Sequence, residues 1–199
     1  MEKAQFASVL TIKKPMIKSW SQDNYIKAYK FAALAHRGQT LPGTDLPYLV
    51  HLSFVSMEII AALRISQGHD EDLAVQSALL HDVIEDTDVT YEELSKEFGS
   101  RVADAVLALS KDKTLTKSLQ MQDSLQRIKQ QPVEVQMVKL ADRISNLHKP
   151  PAHWTTEKIA EYRKEAIEIH DALKDANDFL AARLFRKIKE YGVYTESKE

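Results

Sequence analysis

An all-α fold in a single domain is predicted for this chain of 199 residues, and three observations predict it. Chain breakers are scarce, with five glycines and six prolines in all. Good helix formers (Ala, Leu, Lys, Glu and Gln) are abundant. No Val/Ile/Thr-rich segment alternates between hairpin turns, so no stretch reads as a strand.

Taken in order, residues 1–22 read as a peripheral arm. Phe6, Val9, Leu10 and Ile12 are placed to cover part of the core, and Lys13-Lys14-Pro15 breaks any helix there. Asp23 is the expected N-cap of a helix through Ala35, with Ala28, Phe31, Ala32 and Ala35 as its packing stripe. Arg37 to Pro47 holds Gly38, Pro42, Gly43 and Pro47, the densest cluster of breakers, and reads as a loop. A helix over 51–66 carries Val55, Ile59 and Leu63, and Gly68 ends it.

Asp70 caps a central helix running through residue 87. Its apolar band (Leu73, Ala78, Leu79, Leu80, Val83, Ile84) is too wide for a surface helix and suits a buried one. Thr90 and Glu93 form a capping box, and Gly99 separates that short helix from one with Val102, Val106 and Leu109. Lys111 to Lys117 reads first as a solvated linker. An amphipathic helix follows near 116–131, then, after Pro132, a nearly all-buried one to Asn146. Pro150-Pro151 interrupts the chain before a long helix over 155–188. The domain spans 23–190, and 191–199 read as a tail that frays at its end.

Bulk charge narrows the function classes. A formal charge of −2 leaves no basic excess to neutralise phosphates, so nucleic acid is not an expected partner. The absence of cysteine excludes disulfides, thiolate catalysis and cysteine-type zinc sites. No apolar run reaches the ~18–20 residues that a membrane span needs. Met1-Glu2-Lys3-Ala4 carries an acid early and no long apolar core follows, so the chain is expected to be a cytoplasmic protein without a secretory signal.

The chemistry gathers where polar groups intrude on apolar helices. His81, Asp82, Glu85 and Asp86 crowd the end of the central helix, and Asp142 sits among Val138, Leu140, Ala141 and Ile144. Carboxylates in such company need a cation or hydrogen-bond donors. Basic residues nearby are few, which points to a metal ion. His51, the pair His81-Asp82 and Asp142 offer two imidazoles and two carboxylates, a set suited to one divalent first-row ion with positions left for water and substrate.

The order His, His-Asp, Asp in a helical chain resembles the HD phosphohydrolase superfamily. Ala35-His36-Arg37-Gly38-Gln39, Pro47-Tyr48-Leu49-Val50-His51, the run Leu79 to Thr87, Phe98-Gly99, Lys111-Asp112-Lys113-Thr114 and the run Val138 to Leu147 are similar to the hydrolase domain of the Rel/Spo stringent-response enzymes. The resemblance covers residues 24–180 and implies an HD-domain helical bundle acting as a stand-alone alarmone hydrolase. It implies removal of the 3′-pyrophosphate from guanosine tetra- and pentaphosphate, giving pyrophosphate and GDP or GTP, with Mn²⁺. By motif position, His51, His81, Asp82 and Asp142 would be metal ligands and Glu85 and Asp86 would position and deprotonate water. Asn146 would bind the nucleotide and Tyr162 would line its pocket, with a core aromatic as the other reading of Tyr162. His36 reads as support for the following loop, and His69, His148, His153 and His170 read as surface or packing residues.

Two departures stand out. The family's basic pair after His-x-Gly-Gln, one member of which stacks on guanine, is replaced by Thr40-Leu41-Pro42-Gly43-Thr44-Asp45, and Leu52 stands where a Pro usually follows the first metal His. Planar Arg stacking is therefore missing, and Leu41 and its neighbours are expected to form an apolar wall. This keeps two alternatives open: an HD phosphohydrolase on another nucleotide, such as an adenosine alarmone, and a non-catalytic nucleotide-binding domain.

Overall fold

The computed structural model describes residues 19–195, and the expectations for residues 1–18 and 196–199 lie outside them. Among the described residues the elements are α1 (Gln22–Ala35), α2 (Leu49–Ile65), α3 (Glu71–Leu80), α4 (Val83–Asp86), α5 (Tyr91–Phe98), α6 (Ser100–Leu109), α7 (Lys117–Lys129), α8 (Val133–Asn146), α9 (Thr156–Leu173) and α10 (Asp178–Tyr191). No strand occurs among them. The one β-type pairing is an isolated bridge from Thr40 to Pro47.

Helices α2, α3 and α8 pack on one another at the centre. Ile59 of α2, Leu79 and Leu80 of α3, and Met137 and Leu140 of α8 are fully buried. Each such side chain contributes about 1.5–3 kcal/mol of hydrophobic stabilisation. Helix α1 lies on α3, the α5/α6 pair covers α3 through α6, and α9 and α10 close the far side against α8. The three segments that carry the site therefore reach the same central seam.

The structure corrects four boundaries. Ser21, not Asp23, caps α1 by accepting from Asn24 N, and the segment is held by Trp20 N donating to Glu71 and Ser21 N donating to Asp72. Helix α2 starts two residues early, which puts His51 inside its first turn. The central helix does not run on to residue 87. His81 Nδ1 bonds Ala78 O at 2.9 Å, so the carbonyl that Asp82 N–H would use is taken, and a new turn starts with Asp86 N to Asp82 O.

The helix expected over 155–188 is also broken. It would have been about 50 Å long, far beyond the width of a small domain. Instead a 3₁₀ turn over Lys174–Ala176 leads to Asn177, whose side chain caps α10 through Leu180 N and donates to Ser66 Oγ. Helix α10 then folds back along α9, burying Leu180, Leu184, Ile188 and Tyr191.

Candidate active site

Three elements deliver the converging groups. The first turn of α2 supplies His51, the break between α3 and α4 supplies His81 and Asp82, and the buried face of α8 supplies Asp142. His51 Nε2 and His81 Nε2 face each other at 3.2 Å. Asp82 Oδ2 lies 2.8 Å from His81 Nε2 and 3.6 Å from His51 Nε2, and Asp142 Oδ1 lies 3.7 and 3.4 Å from the same atoms. The donor atoms of His51, His81 and Asp142 all lie within 4.8 Å of one another.

This set fits a divalent cation. Two ring nitrogens pointed at each other repel unless a proton or a cation lies between them. Their orientations are fixed from behind, as ligating imidazoles usually are: His81 Nδ1 meets Ala78 O, and His51 Nδ1 meets Ser145 Oγ at 3.1 Å. Burial pushes the His81 imidazole down, but the Asp82 and Asp142 carboxylates outweigh it and raise it to about 10. Burial works against the charge on both carboxylates. His81 nevertheless holds Asp82, and Lys139 holds Asp142, well below the ordinary carboxylate range. The protein itself keeps both oxygen donors ionised.

Glu85 and Asp86 do not join that quartet. Glu85 Oε2 accepts from Lys111 N at 2.8 Å, and the Lys113 ammonium donates to the Glu85 carbonyl. The 111–113 segment is thus packed against the carboxylate rather than being only a solvated linker. Asp86 is exposed on a polar rim with Gln39, Thr87, Asp88 and Lys113, and burial together with the Asp82 and Glu85 charges raises its carboxyl. Asn146 is exposed, but its Nδ2 donates to Asp142 Oδ1 at 2.6 Å. Tyr162 lies under the Arg143 guanidinium (4.2 Å to the ring) and edge-on to Trp154, and burial raises its phenol to about 12. His36 supports the following loop, with Nδ1 2.8 Å from Gln39 Oε1.

Two neighbours escaped the sequence reading. Lys139 Nζ sits 3.0 Å from Asp142 Oδ2, so the carboxylate is not without a cation. The i, i+3 spacing was the signal for it. Tyr48 donates its hydroxyl to Asp82 Oδ2 at 2.5 Å across 34 residues, a contact that no local pattern announces.

The HD domain family matches the chain over residues 28–178, which includes every group just described. The chain belongs to the HD domain family. This HD domain chain is 32% identical over 174 residues to guanosine-3′,5′-bis(diphosphate) 3′-pyrophosphohydrolase MESH1 of Danio rerio, covering 84% of this chain and 94% of the relative. A pyrophosphohydrolase of the same substrate from Aquifex aeolicus is 32% identical over 150 residues, and there the chain spans only 20% of a longer protein. Among solved structures, a metazoan ortholog of SpoT that hydrolyses ppGpp superposes with a TM-score of 0.77 at 27% identity, covering 88% of this chain and 99% of the other.

Proposed function

We propose that this chain hydrolyses the 3′-pyrophosphate of guanosine 3′,5′-bis(diphosphate) and its pentaphosphate counterpart, releasing pyrophosphate and GDP or GTP. The observation that carries this reading is the nearly end-to-end match to a relative named for that reaction. The convergence of His51, His81, Asp82 and Asp142 supports it. Those four residues would hold one divalent ion, Mn²⁺. When bound, such an ion lowers the pKa of water and offsets charge on phosphoryl oxygens.

The chain's own residues do the rest. Attack of water on the phosphorus joined to ribose O3′ breaks that ester, the 3′-oxygen gains a proton, and pyrophosphate leaves. Glu85 and Asp86 orient the attacking water and take its proton. The raised carboxyl of Asp86 brings it nearer the range where a base works at neutral pH. Asn146 and Tyr162 hold the nucleoside. This reading takes a nucleotide as the substrate partner and a cytoplasmic setting for the reaction. No helix of the described residues is long and apolar enough to cross a membrane.

One observation favours a second reading, in which the base is not guanine. The 40–45 stretch carries no Arg or Lys. It is held in place by the Thr40–Pro47 bridge, while a Cβ on Gly43, whose φ is +77°, would meet Pro151 at 3.3 Å. A panel of guanosine and adenosine tetraphosphates with Mn²⁺, assayed for pyrophosphate and orthophosphate, tests both readings. Pyrophosphate from the guanosine compound with a strong preference over adenosine is expected on the first. Comparable or greater turnover of adenosine favours the second, and nucleotides that bind but stay intact would make the domain a non-catalytic binder.

A further inference from the structure

The loop between α1 and α2 is tied at both ends to the site's acids. At its start, Gln39 Nε2 donates to the Asp86 carbonyl at 2.7 Å. At its finish, the Tyr48 hydroxyl donates to Asp82 Oδ2 at 2.5 Å. The two ends are also tied to each other. Tyr48 N donates to Gln39 O at 2.9 Å, and the His36 ring stacks on Tyr48 (4.8 Å between centroids) while its Nδ1 meets Gln39 Oε1. The intervening residues 40–47 form an excursion closed by the Thr40–Pro47 bridge and the Leu41 N to Leu46 O bond. His36 is buried within this staple, and its Nε2 has no partner there.

We propose that Tyr48 and Gln39 are positioning residues that couple this loop to the site: Tyr48 sets the Asp82 carboxylate for the metal, and Gln39 sets the backbone that carries Asp86. The inference rests on reading His51, His81, Asp82 and Asp142 as ligands. It adds that the 40–47 loop is mechanically continuous with the metal and water machinery. A donor behind a ligating carboxylate fixes which way its oxygens face, and such outer partners typically change metal affinity by about 10–100-fold when removed. Gln39 touches no ligand, so its effect falls on turnover instead.

The test is a titration of the full chain with Mn²⁺ alone, following free Mn²⁺ by electron paramagnetic resonance, for the natural sequence, Tyr48→Phe and Gln39→Leu. Steady-state kinetics and melting are measured on the same preparations. Tyr48→Phe keeps the ring on His36 and loses only the hydroxyl. It is expected to weaken Mn²⁺ binding by about 10-fold or more. Gln39→Leu is expected to bind Mn²⁺ as the natural chain does while kcat falls several-fold. Mn²⁺ affinity of Tyr48→Phe within twofold of the natural chain overturns the proposal, as does Gln39→Leu with unchanged kcat. A natural chain that binds no Mn²⁺ would overturn the ligand assignment itself, an outcome distinct from either. Should Tyr48→Phe melt early, the Gln39→Leu contrast between affinity and kcat still decides the coupling.

Discussion

Lys139 Nζ lies 3.0 Å from Asp142 Oδ2, one helical turn before it on α8, while the other oxygen of that carboxylate faces His51 and His81. Both side chains are buried, each about 10% exposed. The carboxylate is therefore divided between the Lys139 side chain on one side and the converging imidazoles on the other.

Replacing Lys139 with Met removes that partner and leaves Asp142 with Asn146 and the histidines. One partner lost from a buried carboxylate costs about 1–3 kcal/mol, or a melting temperature lower by roughly 3–10 °C for a chain of this size. The deficit is expected in chelator and should narrow when Mn²⁺ is added, because the ion then balances the same carboxylate. Equal melting of the two proteins in chelator would show that Lys139 is dispensable there.

A second ion pair, with a buried carboxylate and a partly solvated arginine, lies away from the chemistry. Arg183 of α10 holds Glu58 of α2 through two bonds of 2.5 Å, with Glu58 only 4% exposed. Arg183→Ala strands that carboxylate, and urea denaturation should register a loss of about 2–4 kcal/mol, discounted because Arg183 is partly solvated. The Lys164–Glu168 pair on α9 is exposed and 3.8 Å apart, so Glu168→Ala should stay within about 0.5 kcal/mol. Activity should persist in both, since neither pair touches the site.

Glu85 is held by Lys111 N–H rather than by the histidines. Glu85→Gln should therefore leave Mn²⁺ binding intact while turnover falls by about 10²–10⁴-fold, the range for loss of a proton-transfer group. Turnover equal to that of the natural chain would remove Glu85 from that role.

The parts of this molecule that were legible in its sequence are those governed by local rules. The Thr90/Glu93 capping box is present as read, and α8 runs from Val133 to Asn146 with its expected buried face. Asp82 and Asp142 were legible as ionised groups in apolar surroundings. Most of the errors come from competition between local helix propensity and contacts made elsewhere by side chains. The break at Asn177 depends on Ser66 and on α10 finding the bundle. The turn at His81-Asp82 depends on a side chain taking a backbone carbonyl. Tyr48 on Asp82, and Lys111 on Glu85, exist only once separate helices have met.

The central claim is that His51, His81, Asp82 and Asp142 make one centre that both holds the ion and supports the cut. It is tested most directly by measuring bound Mn²⁺ and pyrophosphate release from guanosine 3′,5′-bis(diphosphate) on the same preparation of Asp142→Ala, beside the natural chain. The expected result is one ion per natural chain with rapid pyrophosphate release, and the loss of both together in a variant that keeps its helical content. A folded Asp142→Ala that still binds the ion and releases pyrophosphate at the natural rate would contradict it.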